Sequence, residues 1–255
     1  MRVKLAEYVI SWLSKKGVDT IFTVSGGGSI VLCDALFNQN KIQYVCCHHE
    51  QSVAFAAEGV SRSGEGLGVG IVTTGPGGTN ALTGLAGAWI DSVPMLIISG
   101  QAFLAQTIGK SGTRQIGVQE SDMVEMSKSV TKFSKMVENP NDIKDILEES
   151  FICATTGRPG PVLIDIPVDI QNSLIDPEKL NDNFKPDFPK YEISNYQKER
   201  NKASNNIAKL RIKASTKLIS NLTPILEEYS KKNSIRIIIQ KKQIVMGTKE
   251  DDITK

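Results

Sequence analysis

The 255-residue chain has no apolar run long enough to span a bilayer, which argues against a membrane protein. It has only two histidines, His48 and His49, and four cysteines, Cys33, Cys46, Cys47 and Cys153. The cysteines are too few and too scattered for a disulfide framework, so reduced thiols in a reducing compartment are expected. Glycine is almost missing from the C-terminal third: twenty of the 21 glycines lie within the first 170 residues. Two familiar phosphate-binding patterns are incomplete. "GKS" at 109–111 lacks the glycine five residues earlier, where Leu104 stands, and "GPGGTN" at 75–80 fails G-x-G-x-x-G because position 80 is Asn. P-loop and nicotinamide-binding readings therefore have little behind them.

What is present divides the chain in two. Residues 1–170 carry 13 Lys+Arg against 17 Asp+Glu, and residues 171–255 carry 17 against 11, so a mildly acidic part is followed by a basic one. The opening "MRVKLAEYVISWLSKKGVDT" could pass for a short signal peptide, but Glu7 interrupts its apolar stretch and no small-residue cleavage site follows. The spacing of Val3, Leu5, Ala6, Val9, Ile10 and Leu13 fits an amphipathic helix, and the chain is read as cytoplasmic.

Strand-like runs at 19–24, 42–47, 66–74, 94–100, 129–137 and 160–167 alternate with helix-like segments, among them 139–156. Continuous apolar strands alternating with helices predict an α/β fold: a mainly parallel sheet with helices on both faces. Ligands in such folds sit at the carboxyl ends of the strands, where "SGGGS", Glu50 and "GPGGTN" all fall. The expected organisation is a domain over 1–171, a proline-containing linker over 172–194, and a weakly defined basic tail over 195–255. That tail is read as one or two helices at 195–230 and strands at 234–246. Its lysines are interleaved with Asn, Ser and acids, which reads as a solvated helix face and not as a nucleic-acid surface.

The stretch "CCHHEQSVAFAAEGVSR" at 46–62 invites a metal reading. A tetrahedral site needs spaced ligand pairs such as C-x2-C. Four adjacent residues at a strand end point alternately to opposite faces and cannot converge, so no metal ligand is assigned. The cysteines read as small strand residues, one on each face. Taken alone, Glu50 is a first-turn helix acid favoured by the macrodipole, and "GPGGTN" is a tight turn that starts a helix.

Order and spacing change that reading. "SGGGSIVLCDAL", "HHEQSVAFAAEGVSR", "TTGPGGTNALTGLAGAWIDSVPMLIISGQ", "VQESDMV" and "TTGRPGPVLIDIPVDIQ" follow one another along the chain. The run resembles the pyrimidine-binding N-terminal domain of thiamine-diphosphate enzymes of the acetolactate-synthase-like family, over roughly residues 1–171. The resemblance implies the thiamin-diphosphate-binding fold and a lyase or carboligase acting on a 2-keto acid. In that family a glutamate hydrogen-bonds N1′ of the aminopyrimidine and stabilises the imino tautomer, whose 4′ nitrogen takes the thiazolium C2 proton. Glu50 matches it. Gly26, Gly27 and Gly28 would form a loop near the cofactor. Gly75, Pro76, Gly77 and Asn80 would line the pyrimidine pocket, and His49 would border it. Gln119 matches a glutamine that faces the reaction centre, although Val118 stands where an aromatic is usual.

The family holds the diphosphate through Mg2+ on a second domain, marked by G-D-G and a trailing Asn. No G-D-G occurs in this chain. The resemblance thus implies a cofactor shared with a diphosphate-binding domain on another chain, in a homo-oligomer such as a dimer or with a separate subunit. A flavin-contacting Arg that the family carries ahead of "GRPGP" is missing from "ESFICA", which argues against FAD. Two alternatives stand beside the enzyme reading. One is a truncated or frame-shifted, inactive product. The other is a non-catalytic module that docks on full-length relatives.

Overall fold

The computed structural model describes residues 2–109, 111–185 and 193–233. The chain separates into two compact units, Met1–Tyr191 and Glu192–Lys255. In the first unit a two-residue strand β1 (Val3–Lys4) leads into helix α1 (Leu5–Lys15), then β2 (Thr20–Thr23), a 3-10 turn at Gly27–Ser29, α2 (Ile30–Phe37), β3 (Gln43–Cys46) and α3 (Glu50–Ser63). Next come β4 (Gly68–Val72), α4 (Pro76–Asp91), β5 (Met95–Gln101), α5 (Met123–Ser127), β6 (Phe133–Met136), α6 (Ile143–Thr155), β7 (Pro161–Pro167), α7 (Val168–Gln171) and β8 (Leu174–Ile175).

Six strands form one parallel sheet in the order β3-β2-β4-β5-β7-β6. All six strand readings from the sequence are present. The period-2 rule sorts each central strand between two cores. Ile71, Leu96, Ile98, Val162, Ile164 and Ile166 face α1, α2 and α6. Val72, Met95, Ile97 and Leu163 face α3 and α4. The sheet is therefore covered on both faces, as a parallel sheet requires.

Small residues set the spacing on the second face. A Cβ added to Gly68 would stand 1.7 Å from the Ala57 carbonyl oxygen, and one added to Gly84 would stand 2.4 Å from the Ala54 Cβ. On the first face α1 buries Leu5, Ala6, Val9, Ile10 and Leu13, as its spacing predicts, while Val3 falls just outside it in β1. Trp12 donates its indole N–H to Glu148 at 2.9 Å and meets Phe151 edge to face.

Of the stretch 172–194, read above as a linker, residues 172–184 are fastened to the first unit. β8 pairs antiparallel with β1, and Leu5 N donates to the Ser173 carbonyl at 2.9 Å. Ile175 and Leu180 are buried in the core. Asp142 and Asp145 accept from Asn181 and Asn183, and Lys144 pairs with Asp182 at 2.7 Å. A two-residue strand held by scattered polar contacts shows no periodicity, so the sequence reads as linker where the chain is anchored.

In the second unit, α8 (Ile193–Asn233) is a single helix that passes through Pro224. The strand reading for 234–246 lies outside the described residues. No described helix is long and apolar enough to cross a membrane.

Candidate functional site

The sequence-predicted residues lie at the carboxyl ends of β2, β3 and β4, with Gln119 packed on Gly75. The turn after β3 delivers Glu50. His49 is the N-cap of α3, with an extended backbone, and its Nδ1 accepts the Gln51 backbone N–H at 3.1 Å. That cap places Glu50 in the first position of the helix, half-buried, where a carboxylate is electrostatically favoured.

The strand end after β4 supplies the other wall. Asn80, in the second turn of α4, donates its side-chain amide to Glu50 Oε2 at 2.9 Å. Among the described residues, Glu50 Oε1 has no hydrogen-bond partner. Gly77 keeps the space beside it open: a Cβ there would stand 3.3 Å from Oε1 and 2.6 Å from the Thr73 methyl. Pro76 occupies the first turn of α4, a position that needs no backbone N–H.

Gly75 has φ +61°, and a Cβ on it would stand 2.0 Å from the Gln119 carbonyl oxygen. Gln119 itself is left-handed, φ +55°, which is uncommon for a residue with a side chain. The structure thus joins Gly75 and Gln119 through backbone packing and leaves the Gln119 side chain exposed. Of the three glycines after β2, Gly26 and Gly28 pack on Thr73 and Thr74, and Gly28 N–H donates to Thr73 Oγ1 at 3.1 Å. Gly27 has open space on its side-chain face. His48 is exposed.

Beneath these loops lies a buried polar network that sequence reasoning did not find. Thr74 donates to Gln101 Oε1 at 2.6 Å, and Gln101 Nε2 donates to Asp165 Oδ2 at 2.9 Å and to the Ser121 carbonyl at 2.8 Å. Ser99 donates to Asp165 Oδ1 at 2.6 Å. On the β2 side, Gln171 Nε2 donates to the carbonyls of Gly28 and Ile166, and its Oε1 accepts from Leu32 N–H. Asp165 is fully buried, and that burial pushes its carboxyl up to about 7, against the opposing pull of Ser99 and Gln101. The signal was present as polar residues inside apolar strands: Ser99 and Gln101 in "MLIISGQ", Asp165 in "PVLIDIP".

A separate cleft of about 430 Å³ is lined by Glu120, Asp122, Ser134, Lys135 and Glu138 around the end of β6. It does not include Glu50, and the glycine loops, helix starts and open carboxylate oxygen favour the Glu50 site for chemistry. Among the described residues no three His, Cys, Asp or Glu side chains gather as a metal site.

Residues 3–126 match the family model described as thiamine pyrophosphate enzyme, N-terminal TPP binding domain. The chain is 43% identical over 177 residues to the chloroplastic acetolactate synthase of Arabidopsis thaliana, a match covering 68% of this chain and 25% of that protein. It is 41% identical over 170 residues to the acetolactate synthase isozyme 3 large subunit of Escherichia coli, covering 66% and 28%. The acetolactate synthase large subunit of Lactococcus lactis is 38% identical over 177 residues, covering 69% and 29%. The chain thus spans between a quarter and three tenths of the length of these curated relatives.

Proposed function

From residues 3–126, which belong to the thiamine pyrophosphate enzyme family as its N-terminal TPP-binding domain, we propose that the first unit is the pyrimidine-binding half of a lyase or carboligase acting on 2-keto acids. The observation that carries this is Glu50: one carboxylate oxygen is held by Asn80 and the other is open, at the carboxyl ends of a parallel sheet.

The residues present fit an aminopyrimidine. Oε1 of Glu50 is free to share a proton with a ring nitrogen, and Asn80 fixes the carboxylate so that this oxygen does not have to be reoriented on binding. Gly75 and Gly77 let the start of α4 pack closely on the Gln119 carbonyl, on Thr73 and on Glu50, which fixes the wall beside the open carboxylate oxygen. Gly27 presents open space at the β2 end. When bound, thiamine diphosphate supplies the thiazolium that stabilises the carbanion character developing on a 2-keto acid. The part of the chain that carries Glu50 would act as a proton-sharing wall, with His49 holding the helix start. Gln119 would face the substrate from the loop packed on Gly75. Mg2+ and the diphosphate would be held by a diphosphate-binding domain on another chain, so turnover requires that partner.

The test uses the full chain together with a diphosphate-domain subunit co-purified with it, and follows thiamine diphosphate C2 proton exchange by NMR. Glu50→Gln should slow exchange by about 100-fold or more while leaving the circular dichroism spectrum unchanged. Exchange at the wild-type rate in that variant would falsify the assignment. Association with a full-length relative, without any exchange, would favour the docking-module alternative.

A further inference from the structure

Cys33 and Cys46 come from α2 and from the edge strand β3, and several independent contacts bring them together on one face of the sheet. Thr23 is the parallel partner of Cys46 in the β2–β3 ladder, so the two side chains stand side by side on the same face, one strand spacing apart. The Thr23 Oγ1 lies 3.7 Å from the Cys33 Sγ. Two residues before Cys46, Tyr44 shares its face and packs, with ring planes tilted by 44° and centroids 4.5 Å apart, on Phe37, which is four residues after Cys33 on the same side of α2. Four residues of helix rise by about 6 Å, and two residues of strand by about 6.6 Å. Helix and strand therefore run as two rungs of equal spacing: Phe37 against Tyr44, and Cys33 against Cys46. Cys47 is on the other side of the sheet, packed against the core of α3 and α4, whereas Cys33 belongs to the core of α1 and α2.

We propose that Cys33 and Cys46 form a dithiol site that a hydroperoxide oxidises to an intramolecular disulfide, joining the start of α2 to the strand that delivers Glu50. Cys46 is exposed and Cys33 is buried, so the two have different tasks. The Cys46 sulfur, as thiolate, attacks one peroxide oxygen. The O–O bond breaks, the leaving oxygen departs as water after taking a proton, and Cys46 becomes a sulfenic acid. The Cys33 sulfur then attacks the Cys46 sulfur. The S–O bond breaks, the second water carries away the Cys33 proton, and an S–S bond forms. Two thiols and one hydroperoxide give one disulfide and, for hydrogen peroxide, two waters. The sulfurs are oxidised and the peroxide oxygens reduced. Burial raises the Cys33 thiol against the opposing pull of Thr23 and Ser29, and a thiolate at Cys46 adds to the rise, so Cys33 keeps its proton until it resolves the sulfenic acid.

The consequence is local to the site's wall. Cys33 also contacts Ser29 Oγ at 3.8 Å, and Ser29 donates to the Gly26 carbonyl, so the bond would form one residue shell from the glycine turn. The experiment exposes the full chain to hydrogen peroxide, blocks free thiols with iodoacetamide, and maps a non-reducing tryptic digest by mass spectrometry. Trypsin separates Cys33 (peptide 17–41) from Cys46 and Cys47 (peptide 42–62). The expected result is a linked pair of these peptides that dithiothreitol dissolves, that persists in Cys47→Ser and that vanishes in Cys46→Ser. A linkage that survives Cys46→Ser, a Cys46–Cys47 or intermolecular bond, or a Cys46 sulfinic acid without any link would each overturn the proposal. Cys46 is exposed, so its serine variant should fold, and Cys33→Ser provides a second, independent loss of the link.

Discussion

Replacing Asp165 by Asn should change how stability depends on pH more than it changes stability at any one pH. The folded-state carboxyl is raised to about 7 from an ordinary value near 3.8. Between those values the folded chain binds more protons than the unfolded chain, so stability falls as pH rises through this window and is flat above it. A shift of about 3 units corresponds to about 4 kcal/mol in full, of which roughly two thirds falls between pH 5 and pH 8. Asn removes that term and reproduces the hydrogen bonds of the protonated acid: its amide can donate to Ser99 Oγ while its carbonyl accepts from Gln101 Nε2. Every other titrating group is common to both proteins and cancels in the difference. Both tryptophans, Trp12 and Trp89, lie in the first unit, so their fluorescence reports its urea unfolding alone. With a urea slope of about 2 kcal/mol/M, the variant should gain roughly 1 M in midpoint over wild type on going from pH 5 to pH 8. A midpoint difference that is the same at both pH values would refute the reasoning.

Gly68→Ala should destabilise by about 3 kcal/mol or more, because the new methyl meets the Ala57 carbonyl and not a side chain that could turn away; urea midpoints measure it. Ile175→Ala should cost about 2–4 kcal/mol in the same assay, and a loss below about 0.5 kcal/mol would show that the segment after Gln171 does not hold the unit together. Asn80→Ala should leave the fold in place and lower C2 proton exchange by a smaller factor than Glu50→Gln, since it loosens the carboxylate without removing it.

The strands were legible because each carries its own signal: a short apolar run closed by glycine, proline or a helix start. The helix start at Glu50 and the tight turn with Gly75 and Gly77 were legible as well, since helix caps and tight turns are encoded within a few neighbouring residues, while the roles given to Glu50 and Asn80 came from the family resemblance alone. The support beneath them was not. Thr74–Gln101, Gln101–Asp165, Ser99–Asp165 and Gln171–Gly28 join residues 27, 64, 66 and 143 positions apart, and no local pattern reports such pairing. The exposed state of β3 was also hidden. "QYVC" has the composition of an inner strand, and only the sheet order, which leaves it at the edge, explains why all four residues are exposed.

The pairing of β1 with β8 has a consequence for how this unit can be carried in a genome. Val3 stands opposite Ile175 and Lys4 opposite Leu174, so the strand that opens the unit lies beside one near its end, and the chain runs on from there to Leu180 and the contacts of Asn181 and Asn183 with Asp142 and Asp145. A unit with neighbouring entrance and exit behaves as a cassette: it can be fused ahead of another domain, inserted into a loop, or encoded separately without a connection that must cross its diameter. A circular permutant is feasible on the same ground, with a Gly/Ser bridge that runs from beyond Phe184 back to β1, so that the contacts of Asn181 and Asn183 are kept, and new termini opened at an exposed turn such as that around Gly64.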